Sequence, residues 1–175
     1  MGQLASRLRS GQISVDQFRS GMSSELRRLG LASLILGVGG PGNLTGHHTE
    51  LLDRYLARQL SYLGRFVEDL RAAIASGHSM TAREITRATL YASSARPLYE
   101  EAYRQQMVNR LPEAMERRVL HAGESCPGCV EQAALGWQPI GTLEAIGSQE
   151  CGQFCKCQFE YNLGGESSSE AGEAV

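Results

Sequence analysis

All five cysteines of this 175-residue chain lie between Cys126 and Cys157, a span of 32 residues. A segment so dense in sulfur constrains the fold more than any other feature, because thiols at such spacing ligate a metal, pair as disulfides or carry out redox chemistry. Cys126-Pro127-Gly128-Cys129 presents two thiols from one tight turn, as one corner of a tetrahedral zinc site requires. Cys151, Cys155 and Cys157, spaced Cys-x3-Cys-x-Cys, supply the other half, and the 21 residues between the two groups match the separation common in small zinc modules. A redox Cys-x-x-Cys would need a thioredoxin-like alternation of strands and helices, which this chain lacks. A disulfide framework would need an oxidising compartment.

Five thiols exceed a tetrahedral set. Cys126, Cys129 and Cys157 are read as ligands, and Cys151 and Cys155 compete for the fourth place. The zinc is expected to be structural, since a closed all-cysteine site leaves no position for a substrate. Around it the sequence predicts a short strand at Val119 to His121, another at Gln158 to Tyr161, and one or two helical turns over Val130 to Leu135, with Trp137 as a cover. The unit is thus expected to be a small zinc-stapled β-hairpin module, residues 119–163, with too little core to fold without its metal. Residues 164–175 are polar and acidic without an apolar pattern, and are expected to form a disordered acidic tail.

The preceding 118 residues follow helical periods. Ser14-Val15-Asp16-Gln17 has the form of a capping box, followed by apolar residues at Phe18, Met22, Leu26 and Leu29. This helix should end in the glycine-rich run Gly37 to Asn43, which lacks the preceding strand and the Gly-Lys-Ser/Thr ending of a phosphate loop. A second helix, capped by Thr49, is predicted from Leu52, Leu56, Leu60, Leu63, Val67, Leu70 and Ile74, a stripe widened by Leu51, Tyr55, Tyr62 and Phe66. Thr81 to Glu84 is another capping box and opens a third helix, about 81–110, which Pro97 either kinks or divides. The fold class is therefore mainly α: a bundle of long helices over residues 1–118 with the small zinc module after it. His47, His48 and His78 are expected at the surface.

Charge divides the same way. Residues 1–118 hold all sixteen arginines against eleven acids, and residues 119–175 hold Lys156 against eight acids, so two surfaces with different partners are expected. The arginines are scattered instead of clustered, which offers little to a dedicated DNA reader. No run of apolar residues is long enough for a membrane span, and no signal-like leader is visible, so a reducing cytosol is the expected environment. With no Walker motif, Gly-x-Ser-x-Gly or His-Glu-x-x-His, and no marked acid–base pair, a binding protein is expected and not an enzyme.

Tyr91-x4-Arg96-x2-Tyr99, then Cys-x2-Cys, Pro139-Ile140-Gly141 and a terminal Cys155-Lys156-Cys157 before a strand make residues 10–161 resemble the phage head morphogenesis proteins, the minor head proteins of the phage Mu F type. The resemblance implies a component of the virion head, made in the host cytoplasm, that binds portal or major capsid protein in multiple copies or as a homo-oligomer. It also implies Cys126, Cys129, Cys155 and Cys157 as the metal ligands, with Cys151 standing where many relatives carry histidine. The alternative is a zinc-containing nucleic-acid-binding regulator, using the arginine-rich body on phosphates.

Overall fold

The computed structural model describes residues 1–121 and 123–163; the acidic tail expected over 164–175 lies outside the described residues. The architecture is mainly helical with a small C-terminal antiparallel sheet. Helices α1 (Gly2–Arg9), α2 (Val15–Gly37), α3 (Gly46–Ala75), α4 (Ala82–Leu90) and α5 (Arg96–Arg110) precede strand β1 (Met115–Val119), helix α6 (Pro127–Ala134) and strands β2 (Gln138–Pro139) and β3 (Gln158–Asn162). The chain divides into two compact units, Met1–Tyr103 and the part from Arg104 onward. None of the described helices is long and apolar enough to cross a membrane.

In the first unit the predicted box at Ser14 forms: Gln17 N–H donates to Ser14 Oγ at 3.1 Å, and Ser14 N–H to Gln17 Oε1 at 2.8 Å. From that start α2 buries Phe18, Met22, Leu26, Gly30 and Leu34, a four-residue spacing that keeps one narrow face inward. The face packs on α3, and Gly30 sets the closeness of the approach, since a Cβ there would stand 2.7 Å from Leu52 Cδ1. Phe18 meets Phe66 edge to face at 6.2 Å, and Phe66 stacks on Tyr91 at 6.4 Å. The buried stripe of α3 runs through Leu56, Leu63, Phe66, Val67 and Leu70, whereas Leu60 and Ile74, placed in the stripe by spacing, are exposed. The helix α1, which carries no strong periodic signal, adds Ala5 and Leu8 to the same core.

Two helix boundaries differ from expectation for identifiable reasons. The third predicted helix is divided: α4 ends at Leu90, Tyr91–Ser93 forms a 3-10 turn, and α5 begins at Arg96. Pro97 thus sits in the first turn of α5, where its missing N–H has no intrahelical partner to lose. The second predicted helix starts at Gly46, before Thr49, because His48 supplies the cap. Its Nδ1 accepts the backbone N–H of Thr45 at 3.0 Å and lies 2.9 Å from Thr45 Oγ1. His48 is consequently buried, not a surface histidine, whereas His47 and His78 are exposed.

That cap is sensitive to acid. Burial, and then neighbouring His47, hold the His48 imidazole below its ordinary value of 6.5. Protonation at Nδ1 would remove the acceptor that ties down Thr45 and place a cation at the positive end of α3. The unfolded chain takes up a proton that the folded chain resists, so the stability is complete above pH 6.5 and declines as pH falls below it towards the folded-state value. Melting at about pH 7.5 and about pH 5.5 is expected to show a larger loss for the natural chain than for His48→Gln, which keeps an acceptor at the capping position. Equal losses would show that His48 is not the group responsible.

In the second unit the sheet has the order β2-β1-β3, with β1 central and antiparallel to both neighbours. The strand predicted at Val119 to His121 lies earlier, at Met115–Val119, and a second short partner, β2, turns the expected hairpin into three strands. Along β1, Glu116 and Arg118 point inward and Arg117 outward. Arg117 pairs with Glu160, its register partner on β3, at 2.6 Å, and its guanidinium lies 4.7 Å from the centre of the Trp137 ring. Trp137 is therefore part of the outer face, packed under an arginine.

Candidate metal centre

The sheet face that carries Glu116 and Arg118 has a core made largely of sulfur. Cys129, Cys155 and Cys157 are buried with Leu143, Ile146 and Phe159, and Cys126 and Cys151 pack against them. Three buried apolar side chains, with Tyr161 packed against them, make a slight non-sulfur part of this cluster.

Three pieces of local structure bring in the five cysteines. Cys126 is the N-cap of α6, with Pro127 as the first helical residue, so the Pro-Gly pair of the motif opens a helix and sends Cys129 inward from its first turn. Gly128 lets residues 149–150 lie against this turn, since a Cβ there would stand 2.8 Å from Gln149 Cδ, and its N–H donates to Glu150 Oε2 at 3.3 Å. Cys151 and Cys155 flank the 3-10 turn Gly152–Phe154, whose Gly152 has φ of 52°, in the left-handed region. Cys157 immediately precedes β3 and faces the same side as Phe159, two residues on.

The structure brings all five predicted residues together. Their sulfurs form two overlapping sets, Cys126, Cys129 and Cys151, and Cys129, Cys155 and Cys157, each within 4.8 Å internally, so Cys129 belongs to both. From Cys129 Sγ it is 3.6 Å to Cys151 Sγ and 3.7 Å to Cys155 Sγ. All five are free thiols. Four sulfurs at 2.3 Å around one tetrahedral ion would be about 3.8 Å apart, so the two separations from Cys129 fit a cluster that could hold a metal ion.

The thiols perturb one another strongly. For Cys126, burial pushes the thiol up, but the backbone N–H groups of Cys129 and Cys151 and the neighbouring thiols outweigh it and the net direction is down. Cys155 follows the same pattern, with the Cys157 N–H as its backbone donor. Burial and then the Cys126 thiol push Cys129 up, against the Cys151 and Cys157 thiols and Arg118, which pull it down; burial and the surrounding thiols push Cys151 up, and Cys157 up to about 12. So compact a group cannot hold five negative charges by itself, and a cation at its centre would allow several thiolates to coexist. The chemistry available to the cluster is metal ligation by soft donors, which suits zinc, monovalent copper or iron–sulfur clusters. A cavity of about 250 Å³ opens over the cysteines between residues 123–126 and 154–157.

Two residues of this centre went unnoticed in the sequence. Arg118 is 3% exposed, and one of its terminal nitrogens donates to Cys129 Sγ at 3.5 Å. Glu116 is fully buried and accepts from Arg104 Nε at 2.8 Å and the Leu143 N–H at 3.0 Å, fixing the segment that leads into the second cysteine group. The only signal that could have revealed them was a strand alternation with charges at the inward positions, Met-Glu-Arg-Arg-Val. Comparison with protein-family models, with curated proteins and with solved structures finds no match to this chain.

Proposed function

We propose that this chain is a minor head protein of a phage, a structural or assembly component of the virion head that acts by binding portal or capsid protein, and that zinc staples its C-terminal unit. The observation that carries the metal half of this reading is the pair of separations from Cys129, 3.6 and 3.7 Å, in a cluster whose buried non-sulfur members are Leu143, Ile146 and Phe159. Sulfur donors in near-tetrahedral spacing favour zinc, and a site closed by four thiolates is structural and not catalytic. On this reading the thiols are ligands and the protein is no enzyme.

The assembly half rests on the resemblance of the Cys126-x2-Cys129 and Cys155-Lys156-Cys157 pattern to minor head proteins, and on apolar side chains left uncovered. Leu36 is 70% exposed, and Tyr99 and Tyr103 stack on each other at 6.0 Å while more than a third exposed. Such side chains suit a protein that buries further surface against a partner or another copy.

Quantitative mass spectrometry of purified phage particles and procapsids tests the reading. The expected result is a fixed ratio of this chain to portal and major capsid protein, and elemental analysis of the purified chain should find zinc at one ion per chain. Absence from both particles, with free chain abundant in the lysate, would overturn the head-protein reading and favour the nucleic-acid-binding regulator. Absence of metal would overturn the zinc staple.

A further inference from the structure

Buried charges are rare because each must be neutralised where it sits. Among the described residues three charged side chains are buried: Arg104, Glu116 and Arg118. Arg104 and Glu116 neutralise each other across 2.6 Å. Arg118 is left with its charge. One terminal nitrogen donates to the carbonyls of Glu144 and, at 3.3 Å, Ala145; the guanidinium lies 5.4 Å from the centre of the Phe159 ring; and Nε is buried without a hydrogen-bond partner. Carbonyl dipoles and a ring face solvate a cation but do not cancel it. No carboxylate pairs with Arg118 among the described residues, and the acceptor on its remaining side is Cys129 Sγ at 3.5 Å.

We infer that Arg118 is the counter-charge of the metal–thiolate centre, and that its N–H···S bond makes Cys129 an obligatory ligand whichever of the other cysteines complete the set. The inference rests on the metal-binding reading above and adds a residue to it. Four thiolates around a divalent ion leave a net charge of minus two, here beside three buried sulfurs. Arg118 removes half of it without a ligating atom, and the Cys129 and Cys157 amides act on the Cys126 and Cys155 sulfurs. Arginine suits this position because its planar fork reaches a sulfur and two carbonyls at once, which a lysine ammonium cannot do with the same geometry. Arg118 is thus a positioning residue: it acts on the metal through Cys129 and does not touch it.

The test uses the full chain loaded with cobalt(II), whose thiolate-to-metal charge-transfer band reports the electron density on the sulfurs, together with zinc affinity measured by competition with a chelator. Arg118→Met is expected to weaken zinc binding by about 10–100-fold, the usual cost of losing an outer partner of a metal ligand. It should also move the cobalt band to lower energy, as a sulfur that loses its N–H donor becomes easier to oxidise. Arg118→Lys should fall between the two in both measurements. A residue that only held the carbonyls of Glu144 and Ala145 in place would leave the band of the bound metal unmoved.

Should Arg118→Met not fold, Arg118→Lys and Arg118→Gln decide the matter. A graded order of natural chain, lysine and glutamine in affinity and band energy supports the inference, and identical values overturn it. The natural chain taking up neither metal would instead refute the metal-binding reading on which the inference stands.

Discussion

Replacing Cys129 by serine should empty the metal centre and unfold the second unit while leaving the helices of the first in place. Cys129 is the one sulfur shared by both thiol sets, so its loss breaks each of them at once. Serine offers a weaker, harder oxygen donor to a metal held otherwise by thiolates. Structural zinc contributes about 10–16 kcal/mol to small domains of this kind, more than a core of Leu143, Ile146 and Phe159 can replace. Cys151→Ser and Cys155→Ser are each expected to be milder, because each leaves one of the two thiol sets intact with Cys129 in it. Zinc content and circular dichroism measured together check this: metal lost, the sheet signal lost, and the helical signal largely kept. A Cys129→Ser chain that retains zinc and its melting behaviour would remove Cys129 from the ligand set.

The second large effect is expected at Glu116. Its carboxylate is fully buried and holds Arg104 through Nε at 2.8 Å and a terminal nitrogen at 2.6 Å, while accepting the Leu143 N–H at 3.0 Å. Glu116→Ala leaves a buried guanidinium without its counter-charge and the buried Leu143 amide without its acceptor, and should destabilise the zinc-loaded second unit by about 3–5 kcal/mol. Removing both charges, as in Arg104→Met with Glu116→Leu, is expected to recover most of that loss, since well-packed apolar residues often replace a buried ion pair at little cost. A double-mutant cycle in denaturant separates these contributions. Additive single effects would show that the pair is not coupled.

The contrast between these two sites shows which parts of this protein can be read from a linear sequence. The cysteines announce themselves because metal ligands need particular atoms at short spacings along the chain, and Cys126-Pro127-Gly128-Cys129 carries its turn with it. The long helices are equally legible, since Phe18, Met22 and Leu26 recur with the helical period and Ser14 and Thr81 carry their capping partners three residues on. By contrast β1 is nearly invisible: its inward residues are Glu116 and Arg118, so the alternation that marks a half-buried strand runs the wrong way in polarity. Sequence reasoning left both charges within the helical region, residues 1–118, and placed the strand after them, at Val119 to His121.

By itself, then, the sequence determined the helical body, the cysteine-rich unit after it and the residues able to ligate a metal, because each depends on neighbours within a few positions. Only the tertiary structure decided which sulfur is central, why His48 is buried, and where two inward charges of β1 find their partners. Arg104 and Glu116 are 12 residues apart, and Arg118 and Cys129 are 11. Each pair joins two different elements, α5 with β1 and β1 with α6, so no single helical or strand period links its members and each pairing exists only once the fold brings the elements together and excludes water.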